Sequence, residues 1–314
     1  MISISTNTFD FWNNKEKNSV MFLYGAGVIS ECIVELVKQA NIKIDGFIDR
    51  DVNKQSHYFN GYKIYSPEDI KYNFKDKKIK VYITINNTWS ATNFLEQNFN
   101  NIEVYLPPIE DASVVGVQDE PSINKGLAPL RNLCLKRKDF TLIANTCAAS
   151  RIYQMCDCEY ETPFVAVIIK PDEYLKLCQN LKEYLKYELK FVRYEEWFLT
   201  NKYHTLCKLG DVEIKFIGRH DFEKCKNDWD NRVERINYEN LFLIYENTHY
   251  QPAIDFYEKF LEIPYGTKLI LQRDVNLPIK HSINTPNYNN LFNPSIMIEK
   301  WFKLTDFLNH DLEY

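Results

Sequence analysis

Residues 19–49 constrain the fold of this 314-residue chain more than any other stretch. They open with an apolar run, SVMFLY, and pass through Gly25-Ala26-Gly27. The next segment has Val28, Ile29, Cys32, Ile33, Leu36, Val37 and Ala40 as its apolar positions. Those positions fall on one stripe at helical spacing. Residues 42–49, IKIDGFID, then read as a second strand whose closing acid, Asp49, stands 22 residues after Gly27. A strand, a glycine turn, an amphipathic helix and an acid-ended strand make the Rossmann pattern in outline. Glycines let the backbone approach a phosphate, a helix N-terminus offers free N–H groups, and the acid can accept ribose hydroxyls. Gly25, Gly27 and Asp49 are therefore the expected contacts for a phosphate and a ribose. Ser30 stands where G-x-G-x-x-G has its third glycine, so the motif singles out no specific cofactor.

The same alternation continues. Residues 60–65, NGYKIY, read as a small loop or hairpin. Ser66-Pro67-Glu68-Asp69 starts a helix, with Ser as N-cap and Pro at the first helical position. Residues 78–85 read as a strong strand, a helix follows Asn86-Asn87-Thr88, and residues 102–106 read as a last strand. The expectation is an α/β protein with a Rossmann-like parallel-sheet domain at residues 1–112. Residues 111–130 contain Pro121, Gly126 and Pro129 with little periodicity, and residues 113–138 read as a linker. Its basic end, with Arg131, Lys136, Arg137 and Lys138, reads as a solvated face. Residues 139–314 read as a second α/β domain. It has strands at 140–144, 164–169, 191–194, 212–217, 241–245 and 269–271, and helices at 151–156, from Pro171, at 221–236, ending near 257–261, and at 296–308.

In FTLIANTCAAS, residues 140–150, an apolar strand runs into a turn carrying Cys147. An α/β domain presents a reactive side chain at the carboxyl end of a strand in this way. A thiolate at neutral pH needs a base or a positive dipole. His220, in GRHDF, is the expected base, and Asn145 is expected to orient it or to donate to an oxyanion. The alternative is that Cys147 is a small buried apolar residue. Trp229, Arg232 and Arg235 follow each other at spacings of three, so they share a helix face able to grip a diphosphate or a carboxylated sugar. The alternative there is an outer helix ion-paired with Glu223, Asp228, Glu234 and Glu239.

Several classes are excluded. A charge of −5 argues against a nucleic-acid binder. No apolar run approaches the ~18 residues of a membrane span, and MISISTNTFDFWNN lacks the basic start and apolar core of a secretion signal. Eight cysteines at irregular spacing read as reduced thiols of a cytoplasmic protein. The histidines show no metal-ligand spacing, so no metal is expected. Phe and Tyr number 20 and 21 against 9 Gly, and the aromatics are expected to line core and cleft.

Two resemblances add to these readings. YGAG, DGFIDRD and NGYKIYSPEDI, in that order, are similar to the N-terminal nucleotide-sugar-binding domains of bacterial sugar O-acyltransferases. This implies a nucleotide or nucleotide-sugar near Gly25, Gly27 and Asp49. IANTC, IYQ, YETPF, the helix at Asp172, LGDVEIKF and the W-x-x-R-x-x-R-I of residues 229–236 resemble the uncharacterised bacterial exopolysaccharide-biosynthesis protein family. This implies a pathway rather than a reaction. Members carry Trp-Gly-Gly after the cysteine where this chain has Ala148-Ala149-Ser150, and a histidine where it has Gly218. GRHDF also resembles a segment of papain-like peptidases.

Three functions stay open at this point. The first is a transferase on a nucleotide- or lipid-linked sugar in surface-polysaccharide biosynthesis. The second is a papain-like thiol hydrolase using Cys147 and His220. The third is a non-catalytic nucleotide-sugar-binding protein of the same pathway. The partner in each case is a small molecule or glycan.

Overall fold

A computed structural model describes residues 2–107, 120–197, 202–247, 252–273, 279–285 and 298–312. The chain forms two compact units, Met1–Lys136 with Met155–Asp157 and Pro294–Thr305, and Arg137–Gln154 with Cys158–Asn293 and Asp306–Tyr314.

The first unit is a seven-stranded sheet. Its elements are β1 (Ser3–Ser5), α1 (Thr8–Trp12), β2 (Ser19–Tyr24), α2 (Val28–Gln39), β3 (Gly46–Ile48), β4 (Tyr58–Phe59), β5 (Tyr62–Tyr65), α3 (Pro67–Asn73), β6 (Lys78–Ile83), α4 (Thr88–Asn98), β7 (Ile102–Tyr105) and α5 (Glu120–Cys134). The strand order is β1-β7-β6-β2-β3-β5-β4, and every pairing is parallel except the β4–β5 hairpin. β2 is apolar from Val20 and β6 from Val81, because parallel strands are covered on both faces. Alternate side chains serve the two faces: Met21 and Leu23 pack with Ile33, Val37 and Leu130, whereas Val20 and Phe22 pack with Ile70 and Leu95. α3 starts with the full capping box, Ser66 and Asp69 each bonding the other's backbone N–H. From β2 the chain adds β3 and β5 on one side, then crosses to add β6 and β7 on the other. The strand order therefore reverses between β2 and β6, where open α/β sheets hold their ligands.

α5 is a difference from the sequence reading, which expected irregular linker over most of it. Its stripe is Leu127, Leu130 and Cys134, all buried, and the prolines and glycine around them hide it. Arg131, expected on a solvated face, is fully buried. Its Nε and Nη2 donate to Glu299 at 2.6 and 2.9 Å, and its Nη1 donates to the Met155 carbonyl at 3.2 Å. Two elements preceding α3, β1 and α1, were not expected.

The second unit contains β8 (Thr141–Ala144), α6 (Ala148–Met155), β9 (Val167–Ile168), α7 (Pro171–Gln179), α8 (Leu181–Tyr184), β10 (Leu189–Trp197), β11 (Lys202–Leu209), β12 (Val212–Phe216), α9 (Phe222–Val233), β13 (Leu241–Glu246), α10 (Ile254–Leu261), β14 (Thr267–Arg273) and β15 (Ser282–Thr285). A parallel sheet runs β15-β14-β13-β8 and an antiparallel one β10-β11-β12-β9. One core joins them, with Ile143, Phe164, Leu177, Ile214, Trp229, Leu243 and Phe260 among its members. The expected strand at 164–169 shrinks to β9 because Ala166 takes a left-handed φ of 54°. β11 was not expected. At the chain's end a 3₁₀ turn (Ile298–Lys300) and α11 (Leu304–Leu308) stand in place of one closing helix; residues 296–297 lie outside the described residues.

Candidate functional site

The carboxyl end of β2 carries the glycine turn. Gly25 has φ 103°, and a Cβ there would lie 2.3 Å from Ile85 Cγ2. Its carbonyl accepts from Thr84 Oγ1 at 3.0 Å and from Ser30 Oγ. Ser30 therefore ties the turn down from the position of the third glycine. Asp49 is 7% exposed. Its Oδ2 accepts from the Ala26 N–H at 3.0 Å and pairs with Lys54 at 3.3 Å, while its Oδ1 accepts from the Asp51 N–H at 2.9 Å. Lys54 also donates to the Ala26 carbonyl at 3.0 Å. The acid expected to meet a ribose thus holds the glycine turn in shape.

Gly27 differs from Gly25. It is the N-cap of α2 with extended φ and ψ of −148° and −172°, no side chain caps the helix, and nothing lies within 4 Å of a Cβ built there. The N-terminus of a 12-residue helix consequently opens on free space beside Gly27, with Glu31 the acidic residue of its first turn. Arg50, at the end of β3, is exposed and donates to Ser90 Oγ at 2.8 Å. The hydroxyl of Tyr24 is buried without a partner. Burial pushes its pKa up to about 12, with Arg50 opposing and Asp49 adding to the rise. Bare helix N–H groups with Arg50 and Lys54 nearby suit a phosphate. Arg50, Lys54 and Thr84 were missed at the sequence level; the signal for Arg50 and Thr84 was their place just after β3 and β6.

In the second unit, polar side chains crowd the carboxyl ends of β8, β13 and β14. Asn145, Thr146, Glu246, Asn247 and Gln272 are all buried. The Asn145 amide makes an extra rung to the Glu246 backbone, accepting its N–H at 2.7 Å and donating to its carbonyl at 3.0 Å. Thr146 Oγ1 donates to Glu246 Oε2 at 2.5 Å. Asn145 is thus spent on joining β8 to β13. Cys147 follows, half-buried, and its carbonyl accepts the Arg151 N–H at 3.2 Å to start α6. Burial pushes its thiol up, Arg151 pulls it part of the way back, and Glu246 adds to the rise. Nη1 of Arg151 is buried without a hydrogen-bond partner. His220 is exposed, and no hydrogen bond joins it to Cys147. Thr146, Arg151 and Glu246 were not foreseen, although EN after LFLIY repeats the signal of NTC after LIA.

The third predicted group does not share one exposed face. Trp229 is a core residue, 5.1 Å from the Phe164 ring and 6.0 Å from that of Phe216. Arg232 lies 3.5 Å from Asp228 and over the Tyr160 ring at 5.4 Å. Burial lowers its pKa, and Asp228 opposes that. Asp228 also receives Arg219 at 2.6 Å. Arg235 is exposed beyond the end of α9. Among the described residues no three His, Cys, Asp or Glu side chains are placed to hold a metal ion, and no helix is long and apolar enough to cross a membrane.

Comparison with known proteins matches two stretches of the chain. A family described as Domain of unknown function (DUF1919) matches residues 122–314, and a model described as C2185-like, N-terminal matches residues 17–79. The chain is similar to an uncharacterised protein of Haemophilus influenzae, 28% identical over 153 residues, which cover 48% of this chain and 71% of that protein.

Proposed function

Because the chain belongs to the family of the domain of unknown function DUF1919, whose description names no reaction, we propose a function from geometry. The protein is a cytoplasmic transferase of bacterial surface-polysaccharide biosynthesis, acting on a nucleotide- or lipid-linked sugar. The diphosphate of that sugar sits at the glycine turn of the first unit. One observation carries this reading: the uncapped, unobstructed N-terminus of α2 stands beside the point where strand order reverses. Helix N–H groups bind the anion, Arg50 adds charge, and Asp49 and Lys54 hold the turn rigid. The C-terminal unit offers a second candidate ligand site, at the buried polar groups ending β8, β13 and β14, the strand ends where open α/β sheets bind ligands. A domain division at residues 112 and 139 belongs to the same proposal.

The pathway rests on the resemblance of IANTC, YETPF and LGDVEIKF, and the compartment on eight free thiols. A thiol hydrolase has less support, since burial disfavours the Cys147 thiolate and His220 makes no bond to it. A non-catalytic binding protein would use the same phosphate site and is separated from a transferase by turnover. The test is thermal shift against nucleotides and nucleotide-sugars. A ligand at a hundredfold excess over its Kd stabilises by about 2.7 kcal/mol. Selective stabilisation by one nucleotide-sugar supports the proposal; no response to the whole panel sinks it.

A further inference from the structure

A cavity of about 490 Å³ opens at the amino end of β14, away from the polar strand ends described above. Its polar lining is Thr267, Lys268, Lys280, His281 and His310, with Phe307 among the apolar walls. No carboxylate is among its described lining residues; Glu262, Asp306 and Asp311, close by in sequence, do not line it. Lys268 is half-buried and donates to the Ile263 carbonyl, and neither it nor Lys280 has a carboxylate partner among the described residues. Many other lysines of the chain, such as Lys54, Lys78, Lys176 and Lys226, have one. His310 is fixed in place. Its ring stacks on Phe242 at 4.8 Å, Nε2 lies 2.9 Å from Asn240 Oδ1, and Nδ1 lies 3.2 Å from Thr267 Oγ1. The size falls within the ~300–1,000 Å³ of small-molecule pockets.

We propose that this cavity binds the phosphoryl group of a small phosphorylated molecule, with Lys268 and Lys280 neutralising the dianion and Phe307 contacting its organic part. Uncompensated ammonium groups around a concave space concentrate anions. The grouping has an electrostatic signature: burial lowers the pKa of His281, and Lys280 and Lys268 lower it further, so all three share one field. A bound dianion screens the histidine from both lysines and raises its pKa.

The experiment uses the full chain carrying Gly27→Asp, which closes the α2 N-terminus to anions, so the proposed diphosphate site does not contribute. Inorganic phosphate, phenyl phosphate and phenol are titrated calorimetrically at constant ionic strength, and His281 is titrated by NMR with and without phosphate. Phenyl phosphate is expected to bind more tightly than phosphate, and phenol not at all. Tighter binding of free phosphate than of the ester would assign the cavity to the inorganic ion and overturn the organic contact. Lys268→Met with Lys280→Met weakens binding at least tenfold, whereas Lys268→Arg retains it. The His281 pKa rises on saturation. Undiminished binding by the folded double Met variant, or an unmoved His281 titration, overturns the proposal. So does the absence of binding by either phosphate.

Discussion

Gly25 and Gly27 are two residues apart, and opposite consequences follow from changing them. At Gly25 an alanine must adopt φ near 103°, and its Cβ would meet Ile85 Cγ2 at 2.3 Å. The left-handed backbone costs an L-residue about 1–2 kcal/mol, and overpacking about 1–3 kcal/mol more. Gly25→Ala should therefore destabilise the first unit by about 2–5 kcal/mol. At Gly27 the backbone is extended and the space around a Cβ is empty. Aspartate there caps α2 and opposes its dipole, so Gly27→Asp leaves stability unchanged or raises it by about 0.3–1 kcal/mol. The same carboxylate occupies the place proposed for the phosphate. Two unit charges 4 Å apart repel by about 4 kcal/mol at an effective dielectric of ~20, so anionic ligands should lose at least two orders of magnitude in affinity. Urea denaturation reads the stability and calorimetry with the selected nucleotide-sugar reads the affinity. Gly27→Asp with wild-type affinity, or a Gly27→Asp protein that unfolds like Gly25→Ala, would refute the reasoning.

Three further outcomes are expected. Cys147 should react with iodoacetamide at pH 7 more slowly than a free cysteine, followed by peptide mass spectrometry, because burial raises its thiol pKa; faster reaction would restore it as a nucleophile. Glu299→Gln removes the carboxylate charge that Arg131 Nε and Nη2 bond and should cost about 3–5 kcal/mol in a urea melt. Burial works against the Asp228 carboxylate, but the hydrogen bond from Arg219 and the charges of Arg232 and Arg219 outweigh it, so its pKa is lowered. A lowered folded pKa gives stability that is present above the ordinary aspartate pKa and lost as pH falls through the depressed value. The stability gap between wild type and Asp228→Asn, measured in urea, should therefore be full at pH 7 and shrink at pH 3; a gap independent of pH would contradict this.

The elements legible in the sequence are those whose burial is simple. β2 from Val20 and β6 from Val81 are covered on both faces, so they appear as apolar runs. Ser66 and Asp69 signal the start of α3 locally. Pairings between distant residues were not legible. Arg131 looks like one more base in a charged run until Glu299 closes on it from 168 positions away. Asp49 has the spacing of a ribose acid, yet only the folded turn brings the Ala26 N–H to 3.0 Å from its carboxylate. Trp229 shares a helical repeat with Arg232, but its side chain enters the core between Phe164 and Phe216. α5 was hidden because Pro129 interrupts a stripe that tertiary packing nevertheless holds helical. The thiol at the end of β8 was placed correctly on its turn, while its environment depends on Glu246, a residue of another strand.

The most direct measurement is calorimetric titration of the wild-type chain with a panel of nucleotide-sugars, each competed with its free nucleoside diphosphate. The proposed diphosphate site at the α2 N-terminus predicts one-to-one binding of at least one nucleotide-sugar, displaced by its own diphosphate and lost in Gly27→Asp. Absence of binding across the panel, or binding that Gly27→Asp leaves intact, would contradict it.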